Sequence, residues 1–584
     1  MSPITQAIFD EPISPDAYKT PTIDTSDSDL VKIDRAWELE SSLYHNELET
    51  KVWKPNENYY FGKQTDVDMI PTDMSHYVQN QIFMGIETII PIMTANPPQF
   101  VVQPPDENDE SVKYANTVQN VLSSLYETMD VRTKGEMLMR HMAIYRFGAW
   151  KPYWDYEENN VNIKYVRPKR LYFPKVTTEL PYMREKVDIT AKEFKDIWGE
   201  KKFGEFLKNR GEKGDEEQLM KISGLYTIWE VWTNELLFWR SGNMIIDKRK
   251  NPTYDWTHLE KSKDKKEDIG EDVEGDKNYF NYPKIPYIIA SMFRLGNEPV
   301  GETDLITQTI PIQDVVNVAG RLVINNGTKT GNMQWLVDAT VMSEEEARTK
   351  LTNAPGLIIY GQGVANPNLM RRDPPPPLPA YIENIKVSAE RAFDNIFGTH
   401  STTRGSQEKS ETLGGRLLLK QADIGRIDLA VREYERCVAL LGNWVVQLMR
   451  INFKAKETFK YYGESGLKFI NLEPRMIQKG SKIIVKSGTT LPTDELSKRR
   501  EALELWGMNA IDPVTLFQRL KFPNPEEAAQ KLQTWRSGQL AQEAAIKNEG
   551  QPEGRSVPPL PSAQAEIGKI GGDISAGKFT KPKI

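Results

Sequence analysis

Cysteine and histidine, the residues that most often act as nucleophiles or metal ligands, are scarce in this sequence. It contains five histidines and one cysteine, Cys437. A lone cysteine excludes an internal disulfide and a cysteine-clustered zinc site. No two histidines have the H-E-x-x-H spacing of a zinc hydrolase. Because Cys437 lies within a long stretch of helical period, we interpret it as a small apolar packing residue.

Phosphate-binding and calcium-binding patterns are also missing. The segments GTKTGN at 327–332 and GQGVAN at 361–366 lack the spacing and the Lys-Ser/Thr ending of an ATPase phosphate loop. The charged run at 261–277 lacks EF-hand spacing, which favours a solvated loop. We therefore expect a protein that is not an enzyme and has no metal or cofactor. A two-metal nuclease stays open as an alternative, because folding alone would bring its carboxylates together.

Composition and length indicate a large protein with several cores. The chain has 584 residues, of which 39% are hydrophobic and 10% aromatic, and its net charge is −7. That charge gives no overall basic character of the kind that indicates nucleic-acid binding. At roughly 150 residues per domain, the length predicts several domains. The N-terminus lacks the pattern of a signal peptide, and no apolar run is long enough to predict a membrane-spanning helix.

The longest periodic stretch, 411–453, predicts a single long helix. Apolar and aromatic residues recur there at steps of three and four, and no proline interrupts them. At 1.5 Å per residue such a helix would span roughly 60 Å, so we expect it to cross more than one layer of the fold. The apolar face is formed by Leu417, Ile424, Ile427, Val431, Tyr434, Val438, Leu441, Val445 and Leu448. Gly414, Gly415 and Gly425 are the expected bending points.

The chain before residue 300 mixes helical and strand patterns. Residues 1–30 have no period and predict an extended arm. An aromatic segment with a turn at Gly62 follows the first predicted helix. Helical patterns occur at 30–51, 74–98, 107–130 and 132–149, and strand patterns at 100–105, 150–174, 225–246 and 279–295. We expect an α+β fold in which helices predominate.

Two predicted helices flank a small module between residues 301 and 398. The first helix covers 301–327, with Thr303 as its N-cap and Asn326-Gly327 as its end. A strand at 334–342, a helix at 343–353 and a strand at 356–363 follow. The segment RRDPPPPLP then turns the chain back toward a helix at 380–398, which ends at Gly398.

This order of elements resembles the portal protein of tailed bacteriophages. WKPNENYYFGKQ at 53–64, followed by the helix that ends before Pro97-Pro98, is similar to the N-terminal part of the portal wing. Pro311, Gln313 and Asn317 resemble the core of the first stem helix. The stretch from IFGTHSTTRG into the long helix resembles the tunnel loop and wing helix of that family. The resemblance covers about residues 35–540 and depends on order and spacing more than on any one motif.

The resemblance implies the portal fold, with wing, stem helices, a small α/β clip, a long wing helix and a helical crown. The corresponding ranges are 1–30 for a flexible arm, 31–302 for the N-terminal part of the wing, 303–331 for stem helix 1, 332–376 for the clip, 377–398 for stem helix 2, 399–412 for the tunnel loop, 413–489 for the long wing helix and its strands, 490–545 for the crown and 546–584 for a flexible tail.

The resemblance also implies a function and a set of partners. Portals form a ring, commonly of twelve copies, at one capsid vertex, through which double-stranded DNA is packaged and ejected. The implied partners are further copies of the chain, the terminase large subunit, the major capsid protein and scaffold, head-completion or tail proteins, and DNA bound without sequence specificity. No membrane partner is implied. The expected location is the virion, and the host cytoplasm during assembly.

Candidate site residues follow from this mapping. His400, Arg404 and Lys409 would contact DNA phosphates from the tunnel loop, or lie in an ordinary solvated loop. Arg371 and Arg372 would meet DNA or acidic partners at the clip, or belong to a solvated linker. Trp335 and Tyr360 would anchor subunit contacts, or pack within the clip core. The alternative functions are another structural head or neck component, such as an adaptor or minor head protein, and, less favoured, a nuclease or ATPase.

Overall fold

The chain divides into two compact units. A computed structural model describes residues 20–64, 74–176, 179–209, 224–257, 276–331, 333–351, 366–373, 377–398, 413–453, 456–463, 466–486, 495–520, 522 and 524–548. Unit 1 comprises Met1–Tyr462 and Leu467–Thr493, and unit 2 comprises Gly463–Gly466 and Asp494–Ile584. The fold is α+β, with helices predominating among the described residues.

Helices make up most of the described part of unit 1. They are α1 Asp27–Leu48, α2 Lys54–Tyr60, α3 Gln81–Met93, α4 Asp109–Thr128, α5 Val131–Tyr145, α6 Ala191–Asn209, α7 Leu305–Gly331, α8 Glu344–Lys350, α9 Tyr381–Phe397 and α10 Leu413–Asn452. A π-helical turn, Glu49–Trp53, joins α1 to α2. This wider turn precedes Pro55, which has no N–H to donate to a regular helix.

Fourteen strands are described, all of them short. They are β1 Phe100–Gln103, β2 Gly148–Asp155, β3 Asn160–Val166, β4 Leu171–Tyr172, β5 Met183–Thr190, β6 Leu225–Trp232, β7 Leu236–Ser241, β8 Met244–Lys250, β9 Ile288–Ala290, β10 Gln334–Val337, β11 Met370–Asp373, β12 Glu457–Gly463, β13 Gly466–Leu472 and β14 Lys482–Val485. They form sheets of order β3-β2-β9, β4-β5-β6-β7-β8, β1-β14, β10-β11 and β12-β13.

The largest hydrophobic core surrounds α10. Its side chains from Ala430 to Met449 pack with α3, α4, α5, the β2–β3 hairpin and the β1–β14 pair. All the predicted apolar positions from Val431 onward on this helix are buried. The thiol of Cys437 is also buried, which raises its pKa to about 12 and fits the packing role predicted for it.

The five-stranded sheet forms a second layer with α1 on it. Leu30, Ile33 and Trp37 of α1 pack against Val231 and Phe238 of the sheet. Beneath them the guanidinium Nε of Arg184 donates to Asp34 Oδ1 at 2.8 Å, with both side chains fully buried. A buried charge is tolerated when it is paired and hydrogen-bonded in this way. The ion pair therefore fixes the position of α1 on β5.

Several predicted boundaries are wrong for identifiable reasons. The turn predicted at Gly62 is present, with φ of +79°, but the helix predicted to end at residue 51 is followed by further helix up to Tyr60. Residues 74–80 were expected to be helical, but they are extended, and Asn80 caps α3 by accepting the Phe83 N–H at 3.0 Å. The strand predicted at 279–295 is reduced to Ile288–Ala290.

The helix–module–helix region also differs in detail from its prediction. Asp304 rather than Thr303 accepts the first free N–H groups of α7, and that helix continues past Asn326-Gly327 to Gly331. The helix predicted at 343–353 is the shorter α8, which Ser343 caps by accepting the Glu346 N–H. Met370–Asp373, expected to be an extended lead into the prolines, pairs with β10. The strand expected at 356–363 lies outside the described residues.

Unit 2 is helical in its described part. It contains α11 Glu495–Gly507, α12 Pro513–Arg519 and α13 Pro525–Asn548. Asp512 caps α12 by accepting the Val514 and Thr515 N–H groups. The guanidinium of Arg536 lies 4.9 Å from the ring centroid of Trp506, joining α13 to α11. Across the described residues of both units, no helix combines the length and apolar character needed to cross a membrane.

Candidate assembly surface

An extended segment, Met74–Asn80, lies along α7 and holds it in place. We call it the strap. The backbone N–H of Ser75 donates to Asn325 Oδ1 at 2.7 Å, and that of Gln79 donates to Asn317 Oδ1 at 3.1 Å. Later residues of the strap contact earlier residues of α7, so the strap runs antiparallel to the helix.

Two buried amides of α7 bind the strap and the start of α3. The side chains of Gln313 and Asn317 are 0% and 1% exposed. Gln313 Oε1 accepts the Gln81 N–H at 3.0 Å, and its Nε2 donates to Gln79 O at 2.7 Å. Asn317 Nδ2 donates to Gln64 Oε1 at 2.7 Å. Gln313 and Asn317 thus satisfy backbone groups that burial would otherwise leave without partners.

The strap also contacts α9 and so joins the two helices. Gln79 Nε2 donates to Glu390 Oε1 at 2.9 Å, and Lys386 Nζ lies 5.9 Å from the Tyr77 ring centroid. On the other side, the Tyr77 ring occupies the space of a side chain at Gly320. Because Gly320 is opposite Lys386 and Asn317 is opposite Glu390, α7 and α9 are antiparallel.

The N-terminal end of α7 is held by residues of the 53–64 segment, which the sequence analysis also singled out. Asp304, 2% exposed, accepts hydrogen bonds from Thr307 N at 2.6 Å, Arg146 Nε at 2.9 Å and Asn56 Nδ2 at 3.1 Å. Tyr59 OH donates to Asp314 Oδ1 at 2.7 Å, and burial raises the pKa of this tyrosine. The Asn and Tyr of the 53–64 segment therefore position the helix pair.

The sides of α7 and α9 away from the strap expose apolar side chains. On α7, Val315, Val318 and Leu322 recur at spacings of three and four and form one stripe. Tyr381 and Ile385, four residues apart, form a shorter second stripe on α9, with Tyr381 61% exposed. We call these the α7 stripe and the α9 stripe. Contiguous exposed apolar patches are typical of surfaces that bind other proteins, so the two stripes are candidates for such a surface.

The antiparallel pair β10–β11 brings together two of the predicted clip residues. Trp335 is opposite Arg372 in the register, and the guanidinium lies 4.6 Å from the indole centroid. Arg371, opposite Leu336, is exposed, and Leu336 is 43% exposed. Tyr360 lies outside the described residues. The strand pair therefore exposes two arginines, one of which packs on the half-buried indole of Trp335.

The predicted DNA-contact residues His400, Arg404 and Lys409 all lie in 399–412, outside the described residues, and stay predictions. In the part of the chain that the structure describes, no group of three or more His, Cys, Asp or Glu side chains is placed to hold a metal ion. Sequence reasoning missed the strap and both stripes. The available signal was Asn80, a residue type that favours helix N-caps over helix interiors and so indicates a helix start there rather than at residue 74.

Comparison with known proteins gives a weak likeness, at the level of structure alone. No protein-family model matches the chain, and no curated protein matches it. Among solved structures, it is similar to a chain of "Virion of native gene transfer agent (GTA) particle", with a TM-score of 0.34 and 11% sequence identity. The match covers 76% of this chain and 89% of the other. A likeness at this level carries no assignment of function.

Proposed function

We propose that this chain is a portal-type subunit that forms a ring at a capsid vertex and conducts double-stranded DNA. In this proposal α7 and α9 form the stem, the module between them is the clip, and α10 is the spine of the wing. The observation that supports it best is the antiparallel α7–α9 pair, which is fixed on one side by the strap and apolar on the other.

The two stripes fit a ring better than a twofold dimer. They lie on different helices, so contact between the α9 stripe of one copy and the α7 stripe of the next is heterologous. Such contacts close into rings when the rotation between copies permits. The polar contacts of Gln313, Asn317 and Glu390 are all satisfied within the chain, which leaves the apolar stripes as the surface for a neighbouring copy.

DNA passage and partner binding form the finer part of the proposal. A channel must bind phosphates weakly, because every strong Lys or Arg contact adds salt-dependent affinity that opposes sliding. A net charge of −7 suits such a channel. His400, Arg404 and Lys409 would supply transient contacts, while Trp335, Tyr360, Arg371 and Arg372 would contact the terminase large subunit and later the neck proteins. The ring would also contact the major capsid protein and scaffold.

The proposal includes no enzymatic activity of this chain. ATP hydrolysis and DNA cleavage would be the work of its partners. Purified protein incubated with ATP or with plasmid DNA and Mg²⁺ should leave both unchanged. Turnover of either substrate that persists through purification to homogeneity would favour the nuclease or ATPase alternative instead.

Negative-stain microscopy and mass photometry of the purified chain test the ring directly. We expect rings with a central hole that admits a DNA duplex. Val318→Lys and Ile385→Lys place a charge in the α7 and α9 stripes and should yield monomers with unchanged far-UV circular dichroism. Thr328→Lys, at an exposed polar position on α7, is the matched control and should still form rings. A wild-type chain that stays monomeric under assembly conditions would contradict the proposal.

A further inference from the structure

A loop between β9 and α7 connects the long helix to the base of the stem pair. At its start, Glu433 of α10 accepts hydrogen bonds from Ser291 N at 2.8 Å, Arg294 Nη2 at 2.9 Å and Arg436 Nη2 at 2.7 Å. The carboxylate is only 9% exposed. At its end, Asp304 accepts hydrogen bonds from the side chains of Arg146 and Asn56. Both ends of the loop are therefore anchored by a buried carboxylate, one on each helix.

The loop itself is conformationally strained. Phe293 has φ of +53° and Arg146, which contacts both ends of the loop, has φ of +69°. Positive φ is rare for bulky residues, and such strain clusters at switch regions. Ser291 Oγ donates to Arg146 O at 2.6 Å and accepts the Gly301 N–H at 2.8 Å. A Cβ at Gly301 would lie 1.8 Å from Met292 O, so only glycine fits at position 301, where the two parts of the loop meet.

An apolar cleft of about 250 Å³ lies beside this loop. It is bounded by α3, α5, α7, α9 and α10, and its lining includes Ile89, Met139, Met142, Met292, Phe293 and Leu305. Protein interiors are close-packed, with few voids larger than a water molecule. Methionine side chains adapt to changing shapes because they are unbranched and have three rotatable bonds. Free volume lined by adaptable side chains allows the adjoining helices to shift without steric clashes.

We propose that this junction is a joint on which the α7–α9 pair pivots relative to α10. The Glu433 and Asp304 contacts keep the loop attached at both ends during the movement. The cleft takes up the volume that the moving helices displace, and the strained residues Arg146 and Phe293 favour exchange between two loop conformations. The joint is a property of the single subunit and does not depend on ring formation.

Spin labels measure the movement directly. Labels at Thr328→Cys on α7 and Tyr156→Cys on the β2–β3 turn report the distance between the stem pair and the main core. Cys437 is fully buried and does not react, so labelling is specific. Labelled chains are diluted with unlabelled chains to suppress signals between copies. We expect a broad distance distribution for the otherwise wild-type protein.

Filling the cleft should lock the joint. Ala143→Leu adds a larger side chain to the cleft lining, and we expect it to narrow the distance distribution without lowering the melting temperature. Ala115→Leu is the matched control, because Ala115 is equally buried in the same core but does not line the cleft. It should lower the melting temperature through overpacking. If Ala143→Leu lowers the melting temperature as much, or leaves the distribution unchanged, the joint is refuted.

Loosening the Glu433 anchor should have the opposite effect. Glu433→Gln weakens three charge-assisted or backbone contacts and should broaden the distribution. Arg294→Lys keeps the charge and should broaden it less. Unchanged width in Glu433→Gln would refute the role of this anchor. Loss of oligomer mass in Ala143→Leu would place a neighbouring copy in the cleft, and that outcome would also overturn the joint.

Discussion

Single residues fix the α7–α9 pair, because at two helix glycines a neighbouring aromatic ring already occupies the space of a side chain. Gly320 of α7 is in contact with the Tyr77 ring, and a Cβ there would lie 2.3 Å from the ring carbon Cε1. Gly85 of α3 has a similar relation to Phe397 of α9, where a Cβ would lie 2.7 Å from the ring. Both glycines therefore permit an aromatic side chain to pack directly on a helix backbone.

Replacing Gly320 tests how far the strap depends on this packing. Gly320→Ala should displace Tyr77 and lower the free energy of unfolding by about 1–3 kcal/mol through overpacking. Gly327→Ala on the same helix, where a Cβ meets nothing within 4 Å, is the control. It should be neutral or stabilising by up to about 1 kcal/mol, because alanine favours helix. Thermal denaturation separates the two variants; equal melting temperatures would disprove the packing argument.

His141 predicts a dependence of stability on pH. Burial lowers the pKa of its ring from 6.5 to about 4, and its Nδ1 is hydrogen-bonded to the Tyr165 hydroxyl. The unfolded chain takes up a proton as pH falls below 6.5, while the folded chain does not until about pH 4. Stability from this group is therefore complete above pH 6.5 and declines as pH falls toward 4.

The His141→Asn variant isolates this contribution. Between pH 7 and pH 5 the wild-type melting temperature should fall, and the variant should fall by less. Burial also lowers the pKa of His45, so part of the decline should remain in the variant. Melting curves at several pH values measure the difference. Parallel curves for the two proteins would show that His141 titrates as an exposed histidine does.

At the level of elements, the strap shows how distant groups decide local conformation. The backbone N–H groups of Ser75 and Gln79 donate to Asn325 and Asn317 of α7, which follow them by more than 230 residues. An extended strand without a sheet partner is stable here because Gln313 and Asn317 take the place of one. The strap then contacts both α7 and α9 through Tyr77 and Gln79.

Removal of one amide should release the strap. Gln313→Leu leaves the Gln81 N–H and the Gln79 carbonyl without their partner in a buried site. Each buried group left unsatisfied should lower the free energy of unfolding by about 1–3 kcal/mol. Gln308→Leu, at an exposed position where the amide donates only to Thr303, should cost much less. Hydrogen exchange of residues 74–81 should accelerate in the first variant alone. Equal exchange in both would contradict the proposed role of the buried amides.

The same elements show what sequence can and cannot predict. Periodicity predicted α10 to within two residues at each end, because its apolar face from Val431 to Leu448 is set by local spacing. It failed at 74–80 and overlooked β5, because those conformations depend on Asn317 and on β6, far along the chain. It also gave no sign that Val318 and Ile385 are exposed, since a helical period does not tell whether the partner is the same chain or another.

At the level of the whole molecule, the hydrophobic clusters described in unit 1 are built from residues of unit 1 alone. The described clusters around α10, α1, α6 and the β4–β8 sheet draw on residues from Leu30 to Ile483, with Val485 at their edge. None of these buried residues belongs to 494–584. Since burial of apolar area is the main stabilising contribution, unit 1 has the means to fold by itself.

A chain ended after Thr493 separates folding from assembly. We expect it to keep the cooperative thermal unfolding of unit 1, with a melting temperature close to that of the full chain, because no described core residue of unit 1 is removed. If the α7 and α9 stripes suffice for assembly, mass photometry should also find the shortened chain in rings. Val318→Lys in the shortened chain is the control and should again give monomers. If the shortened chain is a folded monomer while the full chain forms rings, assembly also requires unit 2. If the shortened chain loses cooperative unfolding, unit 1 does not fold independently.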